Sequence, residues 1–232
     1  MWGNLAWVLW LAIAALAPFL AGQYLLYNIG IVATTAAIVS GLTFLSGVAG
    51  LISIAQSAFV AIGSYGAVLL QMHLGIPLLI GIPVAAAIAG VVGWLLGFLC
   101  LRLDGHYLAL VTLAFMGIVH YTIINLDITG GAVGLAVPSV TLFGVTLDSP
   151  MAIYVMAVTA SAITLWSIDR LIHSRYGRML KALRQSDIAA VSLGADRRSL
   201  RTMALAVSAV AGGFAGGFQA LQLTYLDPQQ FT

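Results

Sequence analysis

The stretch Pro77–Leu101, PLLIGIPVAAAIAGVVGWLLGFLCL, holds no charged, amide or hydroxyl side chain. As an α-helix it extends about 37 Å, at about 1.5 Å per residue. The hydrocarbon core of a bilayer is about 30 Å thick, so this segment is long enough and apolar enough to cross it. The same ruler, applied outward in both directions, places further spans at Leu5–Ala21, Leu25–Leu45, Ile52–Met72, Tyr107–Asn125, Met151–Ile172 and Thr202–Leu223. The expected fold is all-α, a polytopic transmembrane helix bundle of about seven spans. Whole-chain composition agrees: 62% of the 232 residues are hydrophobic and 7% are charged. Soluble domains carry roughly 25% charged residues, so lipid must be the solvent for much of this surface.

The gaps between spans carry turn chemistry. Gly75-Ile76-Pro77 is one such turn, and Arg102-Leu103-Asp104-Gly105-His106 is a short polar link. Residues 126–150 form a longer loop containing Asp127, Gly130, Gly131, Gly134, Pro138, Asp148 and Pro150. The glycines Gly212, Gly213, Gly216 and Gly217, like Gly93 and Gly97, read as helix-packing positions. They lack the Lys-Ser/Thr ending of a phosphate loop.

Charge fixes the expected orientation. No Asp, Glu, Lys or Arg occurs from Met1 to Leu101, whereas eight of the nine basic residues lie between Arg170 and Arg201. Basic residues stay on the cytoplasmic side, so the 173–201 loop is expected to be cytoplasmic. Alternation then puts Arg102 and the N-terminus inside and the 126–150 loop outside. This is a topology signal and not a nucleic-acid footprint. The first apolar run has no Lys or Arg ahead of it and reads as a retained span, not a cleaved signal peptide. The single cysteine, Cys100, excludes an internal disulfide. His73, His106, His120 and His173 are scattered and no H-E-x-x-H occurs, so no metal site is expected.

The basic loop has internal structure. Arg178, Lys181 and Arg184 recur every third residue, with Met179, Leu180 and Leu183 between them, the pattern of a short amphipathic helix. Asp187 suits an N-cap and Gly194 the position just past a helix end. Asp196 suits a cap for the final span.

Ala189-Ala190 followed by Gly194, in a basic loop between two spans, resembles the EAA loop of bacterial ABC importer permeases. The longer pattern from Ser174-Arg175-x-Gly177-Arg178 to Gly194 is similar to branched-chain amino-acid permeases of the LivM-type subunit. Residues Gly47–Tyr65, Leu101–Phe115 and Thr129–Leu135 resemble other blocks of that LivH/LivM family. The resemblance implies a permease subunit in a bacterial or archaeal cytoplasmic (inner) membrane. Its implied partners are two cytoplasmic ABC ATPases, a LivH-type sister permease and an external substrate-binding protein. It further implies no catalytic site and no bound cofactor in this chain, with ATP used by the partner subunits. Branched-chain amino acids are the implied substrate, with urea, short amides or aromatic acids as the family's alternatives. Family members continue with further helices, so residues 1–232 would form one permease domain that is C-terminally incomplete. The residues implied to couple to the ATPase are Gly177, Arg178, Arg184, Asp187, Ala189, Ala190, Leu193 and Gly194.

Transport itself needs polar groups within the apolar segment. Gly47, Gly50, Ser53, Gln56 and Ser57 bring small and polar residues into one, and Thr112 adds a hydroxyl to another. Interrupted helices expose backbone groups to substrate, so these six residues are the candidate translocation path. The competing reading is close packing, with Gln56 bonded to a neighbouring helix. A self-powered secondary transporter is a further alternative, but none of the seven Asp residues falls in mid-span and Glu is absent. An intramembrane enzyme lacks a specified nucleophile and base.

Overall fold

A computed structural model describes residues 22–100, 106–139, 141–142, 145–146, 149–186, 190–191 and 195–231. The expected first span, Leu5–Ala21, and most of the Arg102–His106 link lie outside the described residues. Seven α-helices follow in chain order among them: α1 (Gln23–Thr43), α2 (Gln56–Leu74), α3 (Leu78–Leu99), α4 (His106–Asn125), α5 (Pro150–His173), α6 (Arg175–Gln185) and α7 (Arg197–Gln222). All but α6 are long and apolar enough to cross a membrane. The chain is an all-α, multi-pass membrane bundle.

Small residues let α7 occupy its centre. Of its most apolar stretch 67% is buried, against 17% for α4, so α7 is the hub and α4 lies at the edge. A Cβ on Gly63 of α2 would sit 2.0 Å from the Gly213 carbonyl oxygen, and one on Gly216 would sit 2.4 Å from that of Val60. The α2 and α7 backbones therefore touch. Ser64 Oγ crosses the same interface to donate to the Gly216 carbonyl at 2.8 Å. On the other side of α7, Gly93 faces Ala209 and Gly97 faces Thr202. Lipid tails are as apolar as leucine, so spans gain their association from such close packing. The glycine positions do the packing work expected of them.

Two helix boundaries depart from expectation for identifiable reasons. The last helix begins at Arg197 and not Thr202, because Asp196 Oδ1 accepts the Arg198 amide at 3.0 Å and caps its first turn. Capping satisfies a donor that has no partner within the helix. In contrast, α2 begins at Gln56, four residues later than expected. Helix α1 runs into a π-turn, Phe44–Val48, and the chain then leaves helical geometry until Ala55. Gly50 has φ +70° within this break. The Gly75 turn is as expected, with Gly75 left-handed at the α2 terminus.

The helices alternate in direction, so the α1–α2 break, α6 and the start of α7 share one end, the basic end. The opposite end carries short strands within the 126–150 loop. Strand β1 (Leu135–Ala136) pairs antiparallel with β4 (Tyr225–Leu226), and β2 (Thr141–Leu142) pairs with β3 (Val145–Thr146). Val137 adds an amide bond to the Thr224 carbonyl at 3.1 Å. Tyr65 reaches up from α2 to donate to the buried Leu226 carbonyl at 3.1 Å. Phe231 sits edge-on to the Tyr65 ring.

Candidate functional site

The basic end brings together two groups of residues that are far apart in sequence. Ser174 turns the chain from α5 into α6. Its Oγ donates to the Leu171 carbonyl at 2.6 Å and accepts the Gly177 amide at 3.3 Å. The turn leaves no room beside Gly177, where a Cβ would lie 2.3 Å from the Ile172 oxygen and 2.5 Å from the Leu171 oxygen. Helix α6 is the expected amphipathic helix. Gly177, Leu180 and Leu183 are buried, whereas Arg175, Tyr176, Arg178, Met179 and Lys181 are exposed. Tyr176 and Met179 therefore put apolar surface on the outer face of a basic helix. Val191 is a third exposed apolar residue in the same loop.

The loop arginines differ in role. Arg178 Nη1 donates to the His173 carbonyl at 2.9 Å, serving the open C-terminal end of α5. Cations suit that end, where carbonyls lack partners and the helix dipole is negative. Arg184 points the other way and donates to the carbonyl of Gly47, in the π-turn that ends α1. Its aliphatic stem lies across Gly50, whose Cβ position is 2.9 Å from Arg184 Cγ. Beneath it, Leu180, Leu183, Ala190 and Ala195 share one buried cluster with Phe44, Leu45, Val48, Ala49 and Leu51. Burying each such leucine is worth about 1.5–3 kcal/mol, more than the exposed polar contact above it.

Ala190 is buried, and its amide donates to the Ser186 carbonyl at 3.1 Å. Asp187 and Gly194, with their expected capping roles, lie outside the described residues, as do Ala189 and Leu193.

The candidate path residues line the break and its deep side. Gly47 and Gly50 face Arg184, as above. Ser53 is buried, and its Oγ accepts the Ala55 amide at 3.3 Å. Thr112 Oγ1, buried on α4, accepts the Ile54 amide at 3.0 Å and donates to the Ala109 carbonyl at 3.0 Å. Two backbone amides freed by the break are thus occupied by hydroxyls. Gln56 is also buried: its Nε2 donates to the Ile38 carbonyl at 3.1 Å, and its Oε1 accepts from Ser208 Oγ at 2.9 Å. It ties α1, α2 and α7 together at one point. Ser57 is half-buried beside it. Burying an amide without partners would cost several kcal/mol, and each end of this one has a partner.

Sequence reasoning grouped Arg184 with the outward-facing basic residues. No local pattern separates it, since Lys181 also lies four residues after the buried Gly177 and both cations are exposed.

Residues 24–232 match the family described as "Branched-chain amino acid transport system / permease component". The chain is 34% identical to the high-affinity branched-chain amino acid transport system permease protein LivM of Escherichia coli K12. That alignment covers 83% of this chain and 51% of the relative. It is 33% identical to the protein of the same name from Salmonella typhimurium LT2, with the same coverage of each. The chain spans about half the length of these curated relatives. No solved structure matches it. The broken α1–α2 connection and the basic loop folded onto it both lie within the matched region, and the chain belongs to the family of branched-chain amino acid transport permease components.

Proposed function

We propose that the chain is the membrane-spanning permease subunit of an ATP-driven importer for branched-chain amino acids. The family match carries the substrate class, because the named relatives are branched-chain amino acid permeases. The observation that supports ATP drive is the outer face of the basic loop. Tyr176, Met179 and Val191 are exposed there between arginines and Lys181. Apolar side chains ringed by like charge suit a cleft on a water-soluble partner with acidic walls. In this reading two cytoplasmic ATPases bind the loop. A sister permease completes the path, and an external binding protein delivers the substrate. ATP is bound and hydrolysed by the partners. The protein lies in the cytoplasmic membrane with the basic end inside.

The 47–57 block lies where α1 and α2 break, and Thr112 holds it from α4. In this reading the break is the inner gate. Its amides are held by Ser53 and Thr112, and its side chains shape the opening instead of gripping substrate. The test is reconstitution of the complete transporter in proteoliposomes, with labelled leucine and ATP supplied on the side of the basic loop. Uptake that requires both ATP and the binding protein is the expected result. Uptake by the permease alone, driven by an ion gradient, would overturn the proposal.

A further inference from the structure

We infer that Arg184 is a positioning residue for transport, carrying movement of the basic loop directly to the α1–α2 break. The inference rests on the permease reading above and deepens it. The covalent route from the loop leads into α5 and α7, its flanking spans. The contact of Arg184 with Gly47 is a second route, and it ends on the gate.

Three observations carry it. First, the guanidinium donates to the Gly47 carbonyl across 137 residues of sequence. That carbonyl lies in a π-turn, where the helical hydrogen-bond ladder is already ending. Second, the Arg184 stem lies against Gly50 at the positive-φ residue of the break, where a Cβ would come 2.9 Å from Cγ. Third, Leu180 and Leu183 are buried with Phe44, Leu45 and Val48, so helix α6 and the break share one packed core. Packed cores shift as units, so a displaced α6 carries this segment along. The apolar contact supplies adhesion, and the arginine adds direction and register.

From the break, the movement has defined exits. The Ile54 amide is held by Thr112 of α4, and Gln56 is held by Ile38 of α1 and Ser208 of α7. Arg178, although on the same helix, serves the end of α5 and not the break. Within α6, then, Arg184 is bonded to the break and Arg178 to the end of α5.

The experiment uses the complete transporter in proteoliposomes and reads substrate moved per ATP hydrolysed. Arg184→Met keeps the stem over Gly50 and removes the guanidinium. Its ratio is expected to fall about tenfold or more, the loss of one charge-assisted hydrogen bond. Arg184→Lys, which keeps a donor of similar reach, should recover most of it. An unchanged ratio in Arg184→Met would overturn the inference. A second variant controls for folding. Gly50→Cys with Arg184→Cys, in a Cys100→Ser background, brings two Cβ positions to 3.5 Å, within disulfide range. The oxidised pair replaces the lost contact with a covalent one, so its ratio should exceed that of the same sample after reduction. An equal or lower ratio in the oxidised form would overturn the inference. If the wild-type transporter shows no ATP-dependent uptake, the permease reading itself fails.

Discussion

The two ends of the bundle solve the same problem with different chemistry. At each, a glycine with positive φ turns the chain and a distant segment folds back on it. Gly134, at φ +95°, leads into β1, which pairs backbone to backbone with β4 about 90 residues later. Tyr65 and Tyr225 add hydroxyl bonds to the Leu226 and Val133 carbonyls. Gly50, at φ +70°, sits in the α1–α2 break, and its partner is a long side chain, Arg184, resting on buried leucines. A ladder of backbone bonds fixes register and cannot slide without breaking several bonds together. A guanidinium on one carbonyl can swing with the helix that carries it. In the permease reading the first end suits a fixed hinge, and the second suits a part that is pushed.

The largest effect should come from breaking the fixed end. In Gly134→Val the new Cβ would lie 2.4 Å from the Leu226 oxygen and 3.0 Å from the Tyr225 ring. The branched side chain is also strained at positive φ, by about 1–3 kcal/mol. Strain and clash together should cost about 3 kcal/mol or more, so the melting temperature in detergent should fall by at least about 6 °C. An unchanged melting temperature would mean that the β1–β4 pairing adds no rigidity, and the contrast between the ends would lose its basis.

Much of this architecture was legible in the sequence because hydrophobic length is a local property. Every span with described residues appears where the 20-residue ruler put it, within a few positions. The Asp196 cap, the Gly75 turn and the amphipathic α6 follow equally local rules. Pairings across the chain were not legible. The ladder joins residues 135–136 to 225–226 through two-residue strands too short to show any period. Gln56 finds Ser208 across 152 residues. The late start of α2 depends on Thr112 holding the Ile54 amide, which apolar composition cannot reveal. Local pattern located the basic loop and the glycine break separately. Only the fold shows that one rests on the other.

A middle-sized effect should sharpen the contrast from the basic end. Gly177→Ala places a methyl 2.3 Å from the Ile172 oxygen, so α6 must swing away from the end of α5. Leu180 and Leu183 would then lose part of their burial, about 2 kcal/mol in all. That loss falls on the docking element and not on the interface between α2 and α7. Retention of the ATPase in a detergent pull-down should drop about tenfold or more, with the melting temperature of the bundle lowered by less than in Gly134→Val. Equal ATPase retention in Gly177→Ala and wild type would show that α6 position does not set docking.

The smallest effect tests the fixed end one bond at a time. Tyr65→Phe removes the hydroxyl that donates to Leu226 at 3.1 Å and keeps the ring against Phe231, at 5.9 Å between centroids. Both Tyr65 and Leu226 are buried, so the carbonyl loses a donor that water cannot easily replace. One such bond is worth about 1 kcal/mol net, or about 2–4 °C in melting temperature for a chain of this size. Substrate moved per ATP should not change, because the hinge stays closed by its ladder. A loss of coupling comparable to that of Arg184→Met would show that both ends move, and that the difference in bonding between them is not a difference in role.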